Sequence, residues 1–460
     1  MAKELRNIER ELTKFHTRIW VGAAVVFLCF VLLLIRLVYL QIIRYDDLSA
    51  KAENNRVAMV PLVPPRGKII DRNGLVLADD IPIVTLDITP DEVGNLNQTI
   101  DQLSQLLPIT ARDKKRFFQI KRDSRRYDAI PIKTFLTDDE IARFAANTFR
   151  FPGVALSQKL YRNYPLGSVA SHVIGYVGRI NQREADAIDD SDDAANYFGT
   201  KYIGKNGIEK SYESSLHGTT GFAQLEMSAG GRVERELKKI QPIPGKTVQL
   251  SIDIKLQKLV EELYGKRAGA LVAIDPRTNE IIAFVSSPTF NPNLFVDGID
   301  QKNWDDLNTN PFKPLVNRAL QSTYPPGSTY KPFMALAALQ TGTRTPETII
   351  YDPGYFMLGK HRFGSPEGEQ RGNMDMARAI AQSSNAYFFS LAVQMGIAKI
   401  YDFMHPLGFG DATGIDLYGE ATGGTPKPRL ESQTLSSLWS PLLHVVSKAI
   451  RLAWHRQGYN

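Results

Sequence analysis

The 460 residues leave room for two or three domains and an ample core, and 43% hydrophobic with 23% charged residues is ordinary for a folded protein. A net charge of +6 is mild for this length, and no Lys/Arg run reads as a nucleic-acid footprint. The single cysteine, Cys29, excludes a disulfide within the chain and reads as a small hydrophobe in an apolar stretch.

That stretch, IWVGAAVVFLCFVLLLI (19–35), carries no charge, and RLVYLQII extends it with only Arg36. About 20 apolar residues at about 1.5 Å rise each cross a bilayer core, and Arg36 near one end can snorkel to the interface. The stretch is too long for a cleaved signal peptide and no A-x-A site follows, so an uncleaved anchor is expected over 19–40. Lys3, Arg6, Arg10, Lys14 and Arg18 outnumber the basic residues just beyond Leu40. The positive-inside rule therefore predicts a cytoplasmic tail over 1–18 and an exported remainder.

Residues 41–60 are polar and helix-compatible, a stalk leaving the membrane. In VPPRGKIIDRNGLVLADD (63–80), Pro64 and Pro65 stiffen the entry, and Asn73-Gly74 predicts a hairpin turn between KIID and LVLA. Residues 96–147 read as charged helices. Their basic run RDKKRFFQIKRDSRR is expected to be a solvated helix face, with a contact to anionic glycan or lipid as the alternative. YPLGSVASHVIGYVGRIN (164–181) resumes small-residue packing, with His172 expected as a satisfied structural residue.

Beyond a boundary near Pro244, Val248, Leu250 and Ile252 alternate as in a strand. Asp253 then caps a helix with Leu256, Leu259, Val260 and Leu263 on one face. GALVAIDPRTNEIIAFVSSP holds two continuous apolar runs joined by a Pro/Asn turn, which predicts central strands covered on both sides. A helix, such a hairpin, then a serine at a helix start together predict an antiparallel sheet with helices packed on it, an α+β fold.

In YPPGSTYKPF (324–333), Pro325, Pro326 and Gly327 stop preceding structure, and FMALAAL downstream is strongly helical. Ser328 therefore falls at a helix N-terminus, where the dipole favours developing negative charge. Pro332 is tolerated because the first turn has no intrahelical N–H bond to lose. Lys331, one turn on, is placed to lie beside the Ser328 hydroxyl. A desolvated lysine loses its proton more readily, and its neutral amine can take the proton of a serine without a histidine. Ser-x-x-Lys alone is a common pattern that also fits an ordinary capped turn. Downstream, AQSSNAYFF places Ser383 two residues before Asn385, a hydroxyl and an amide able to face the first site.

Ser-x-x-Lys followed by Ser-x-Asn is the order seen in penicillin-recognising serine enzymes. With PPRGKIIDRNGLVLA, GIEKSYESSLHGTTG, SSPTFNPNLFVDGI and LYGEATG in family order, the chain resembles the class B penicillin-binding proteins, in particular the penicillin-binding protein 2 branch of the elongation machinery. The likeness implies an elongated, non-catalytic α+β pedestal of dimerisation type over 41–245 and a partial transpeptidase domain over 246–423. It implies Ser328 as the acylated nucleophile, Lys331 as its base, Ser383 as a proton shuttle and Asn385 as a contact to substrate peptide. The implied reaction is D,D-transpeptidation of peptidoglycan stem peptides ending in D-Ala-D-Ala, with β-lactams acylating the same serine. It further implies a polytopic glycan polymerase and other elongation-complex membrane proteins as partners. The protein is then expected to be single-pass in the inner membrane, with its bulk in the periplasm and no nucleic acid bound.

Three departures qualify the likeness. No Lys-Thr-Gly follows Asn385, and the GKT at 245–247 precedes the nucleophile. That motif supplies an oxyanion donor, and losing one such donor costs about 10²–10³ in turnover, so impaired activity is expected. The family pattern fades in 424–460, which reads as the aberrant end of a truncated or frameshifted frame. Finally, members of this family can hold a metal on an Asp/Asp/His/Cys set. Asp352 matches one ligand, but Ser384 stands where a cysteine would, so no metal and no cofactor is expected. A β-lactamase or β-lactam sensor, and a non-catalytic membrane scaffold, are the competing readings.

Overall fold

The computed structural model describes residues 8–45, 57–124, 128–227, 233–364 and 368–424. These form two compact units, one of residues up to Pro64 with Thr219–Ile243, the other of Pro65–Gly218 with the chain from Pro244 onward. Residues 65–218, expected in the pedestal, thus group with the residues that carry Ser328. Most of the expected stalk, and the segment expected to be aberrant from residue 425 on, lie outside the described residues.

The first unit contains α1, Ile8–Val38, which continues through a π turn at Tyr39–Ile43. Over Arg18–Ile43 it is long and apolar enough to cross a membrane. The unit also holds a three-stranded antiparallel sheet in which Gly221–Met227 lies between Val57–Leu62 and Val233–Ile240.

In the second unit, Ile69–Ile70 pairs antiparallel with the long strand β1, Val76–Ile88, across the expected turn. Buried Asp71 closes that turn by accepting from Asn73 N and Leu75 N at 2.8 Å, and Gly74 takes φ +84°, a conformation natural to glycine. β1 also pairs antiparallel with Val154–Asn163 through Asp79–Ile88. Glu209, fully buried, accepts from Arg66 Nε and Arg162 Nε at 2.7 Å each. Burial pushes its carboxyl up, but the two guanidinium charges outweigh burial and hold it below the usual range. This network ties the hairpin, the Val154–Asn163 strand and the helix Gly207–Ser211 together.

The basic run departs from expectation. Helix α2, Ala111–Asp123, opens with a Thr110–Asp113 capping box, but its face is not simply solvated. Arg112 donates to Gly298 O at 3.0 Å, and Arg116 pairs with Asp297 while donating to Thr134 Oγ1 at 3.2 Å. Two of the run's arginines are therefore spent on the 297–300 loop, which sequence distance hid. Residues 125–126 of the run lie outside the described residues. His172 is structural as expected: it is buried, its Nε2 is 3.2 Å from Pro288 O, and burial lowers its pKa to about 4.

Val248, Leu250 and Ile252 are buried, and Asp253 caps the helix Ile254–Tyr264 by accepting from Lys255 N and Leu256 N. The expected apolar face is not the buried one, however. Leu259 and Leu263 are 51% and 65% exposed, while Gln257 faces the sheet and exchanges two hydrogen bonds with the Phe284 backbone. Strands β2, Gly269–Ile274, and β3, Ile281–Ser287, form the predicted antiparallel hairpin, but only β3 is buried. β2 is half-buried along its length because no further strand pairs with it among the described residues.

Candidate active site

Two short segments far apart in sequence build the site. In the first, Gly327 at φ +57° starts a 3₁₀ turn, Gly327–Tyr330, that runs into α3, Lys331–Gln340. Pro332 sits in the first turn of α3, where it costs no hydrogen bond. Tyr330, Met334, Ala335 and Ala338 are buried in a core shared with Tyr387 and Leu391, so packing fixes which face of the turn carries each polar side chain. Ser328 is left exposed and Lys331 is 8% exposed.

The second segment joins the short helix Met376–Ala381 to α4, Asn385–Met404, which breaks at Gly396. Ser383 N donates to Ile380 O and Ser384 N to Ala379 O, a closure that requires a left-handed residue. Here that residue is Ser383, at φ +54°. Glycine would take this conformation freely, whereas an L-residue there costs ~1–2 kcal/mol. A strained backbone beneath a polar side chain is a functional signal. Ser384 caps α4 by accepting from Tyr387 N at 3.1 Å. Arg344 clamps the helix from the side through Tyr387 O, Ser390 Oγ and Gln394 Oε1.

The four residues singled out from sequence meet in one hydrogen-bonded chain. Ser383 Oγ donates to Ser328 Oγ at 2.7 Å. Lys331 Nζ donates to Ser383 Oγ at 3.0 Å, to Ser383 O at 2.7 Å and to Asn385 Oδ1 at 2.7 Å. The expected direct pairing of Lys331 with Ser328 is thus replaced by a relay. Among the described residues, the three acceptors of the lysine all lie on the 383–385 turn, and Ser383 stands between amine and hydroxyl. Three acceptors in a row draw the amine to that turn, which leaves the outer face of Ser328 open.

Burial lowers the Lys331 pKa to about 8; the charge of Arg371 adds to the shift and that of Asp352 opposes it. A neutral amine is therefore accessible near physiological pH. With two N–H groups it keeps Ser383 O and Asn385 Oδ1 and accepts from Ser383 Oγ, whose hydroxyl then accepts from Ser328. With both hydroxyls turned round, the relay can carry a proton from Ser328 to the amine. The arrangement is suited to nucleophilic attack on a carbonyl by a serine at the head of a helix.

Sequence reasoning missed Arg371, Arg344 and the role of Ser384, which no local pattern announces. Asp352, at the end of β4, Ile350–Asp352, is 1% exposed. Its Oδ2 accepts from Ser384 Oγ at 2.5 Å and its Oδ1 from Gly354 N at 2.7 Å. No group of three or more His, Cys, Asp or Glu side chains able to hold a metal occurs among the described residues. The donor set does not fit a metal, because Asp352 is committed to a hydroxyl and a backbone N–H.

Residues 61–250 match the family described as the penicillin-binding protein dimerisation domain, and residues 269–443 match the penicillin-binding protein transpeptidase domain. The chain is 38% identical over 441 residues to the peptidoglycan D,D-transpeptidase MrdA of Escherichia coli K12, spanning 95% of this chain and 70% of that protein. It is 42% identical over 437 residues to the protein of that name from Acinetobacter baumannii, but spans only 64% of its length. Among solved structures, the penicillin-binding protein PBP2 of Helicobacter pylori in complex with MreC matches with a TM-score of 0.74 at 27% identity, over 86% of this chain and 76% of that one. PBP2 of Pseudomonas aeruginosa in complex with WCK 5153 matches with a TM-score of 0.58 at 33% identity, over 84% and 64% of the two chains.

Proposed function

Since the chain belongs to the penicillin-binding protein transpeptidases, the family of the MrdA enzymes, we propose that it cross-links peptidoglycan stem peptides during cell elongation. Ser328 Oγ attacks the carbonyl of a terminal D-Ala-D-Ala while its proton passes through Ser383 to the neutral amine of Lys331. That proton then leaves with D-alanine, and an amine of a neighbouring stem displaces Ser328 from the acyl-enzyme. Asn385 orients the lysine and contacts substrate peptide. β-Lactams acylate the same oxygen.

The observation that carries this reading is the unbroken run from Ser328 through Ser383 to Lys331. The positive flank of the apolar helix supports an inner-membrane anchor with a cytoplasmic N-terminus and a periplasmic remainder. In this reading residues 41–245 form the pedestal and 246–423 the transpeptidase portion. The MreC complex of the H. pylori relative supports partners within the elongation machinery, and a polytopic glycan polymerase is the further partner this reading assigns.

A fluorescent penicillin incubated with membranes tests the reading. A stable labelled band near 51.4 kDa that disappears in Ser328→Ala is the expected result. Rapid loss of the label would mark a β-lactamase, and a chain that never labels yet supports cell shape with Ser328→Ala would mark a scaffold.

A further inference from the structure

We propose that Asp352 is a positioning residue for the reaction at Ser328, acting through the Ser384 hydroxyl to hold Ser383 where it bridges Ser328 and Lys331. The inference rests on the reading of Ser328 as the nucleophile, and its geometry is independent of that reading. Ser383 O, which receives Lys331 at 2.7 Å, lies in the same planar peptide unit as Ser384 N. Whatever anchors Ser384 therefore anchors an acceptor of the lysine directly. Ser384 is fully buried and its hydroxyl is used twice, donating to Asp352 Oδ2 at 2.5 Å and accepting from Tyr387 N at 3.1 Å. The charged acceptor makes the first bond a strong one.

Asp352 is itself held. Gly354, at φ +87°, turns its N–H onto Oδ1, and a Cβ at that position would fall 2.7 Å from Gly368 O, so only glycine fits. The Asp352 backbone carbonyl accepts from Arg371 N at 3.0 Å. The left-handed Ser383 is thus flanked by an anchor that its own residue type cannot provide.

The test compares the full chain in detergent with Ser384→Ala, Asp352→Ala and Ser384→Thr. The readouts are the rate of reductive methylation of Lys331 by mass spectrometry and the thermal midpoint. Ser384→Ala and Asp352→Ala should raise the Lys331 rate at least about tenfold at temperatures where each variant is still folded, and Ser384→Thr should keep it within about twofold of the parent. Where the parent chain labels with penicillin, the two disruptive variants should acylate about 10²-fold more slowly, as expected for a misplaced reacting group. Lys331 rates within twofold of the parent in both variants overturn the proposal, as does a rise in Ser384→Ala that the hydroxyl of Ser384→Thr fails to reverse. Failure of the parent to label at all counts against Ser328 as nucleophile, while the methylation comparison still decides the role of Asp352.

Discussion

Replacing Ser383 by glycine and by alanine should separate the strain of its backbone from the work of its hydroxyl. Both variants remove the Ser383 Oγ bonds to Ser328 and Lys331, each worth ~1 kcal/mol net. Only alanine retains the cost of φ +54°, ~1–2 kcal/mol for an L-residue. Glycine escapes that cost but gives up ~0.5–1 kcal/mol through the freedom of its unfolded chain. The glycine variant should therefore be more stable than the alanine variant by ~0.5–1 kcal/mol in urea unfolding. Acylation by penicillin, in contrast, should fall equally in both, by about 10²–10⁴, the usual contribution of a positioned proton-transfer group. Glycine no more stable than alanine would refute the strain. Acylation within about tenfold of the parent in either variant would refute the relay.

The Lys331 pKa of about 8 predicts that acylation climbs about tenfold per pH unit below 8 and levels above it. Arg371→Ala, removing a charge that helps lower it, should move the bend to higher pH. Because the folded value lies below the ordinary 10.5, the unfolded chain holds the extra proton between about pH 8 and 10.5. The Lys331 contribution to stability is thus fully present above 10.5 and is lost as pH falls to 8, which unfolding at several pH values in the parent and in Lys331→Met would show. Glu209→Gln should cost ~3 kcal/mol in chemical unfolding, the low end for breaking a buried ion pair, since it removes the carboxylate that Arg66 and Arg162 share and leaves them only Glu213 and Asp80. Arg116→Ala should destabilise by about 3 kcal/mol, because Asp297, 14% exposed, loses its cation. Asp297→Asn in the same background should restore part of that loss.

Much of the local structure was legible in the residues. Asn73-Gly74 turns the chain, Asp253 caps its helix, and Pro326-Gly327 begins the turn that presents Ser328, because each depends on backbone preferences acting over a few residues. The alternation of Val248, Leu250 and Ile252 marked three buried residues, although only Val248–Gln249 forms a strand. The readings that failed all concerned partners. Leu259 and Leu263 look like a core face by period alone, yet burial is decided by what packs opposite, and Gln257 took the sheet side. Arg112 and Arg116 look solvated in a basic run, yet each finds an acceptor in the 297–300 loop.

The spacing of Ser328 and Lys331, the Ser-x-Asn pair, the apolar anchor and the α+β character were determined by the sequence itself, since each is a matter of residue type and separation along the chain. Only the tertiary structure decided that Lys331 reaches Ser328 through Ser383, and that Asp352 grips Ser384 across 32 residues. A hydrogen bond needs its two atoms placed within a few tenths of an ångström. That placement is set by the packing of α3, α4 and β4 against one core, which no window of neighbouring residues contains.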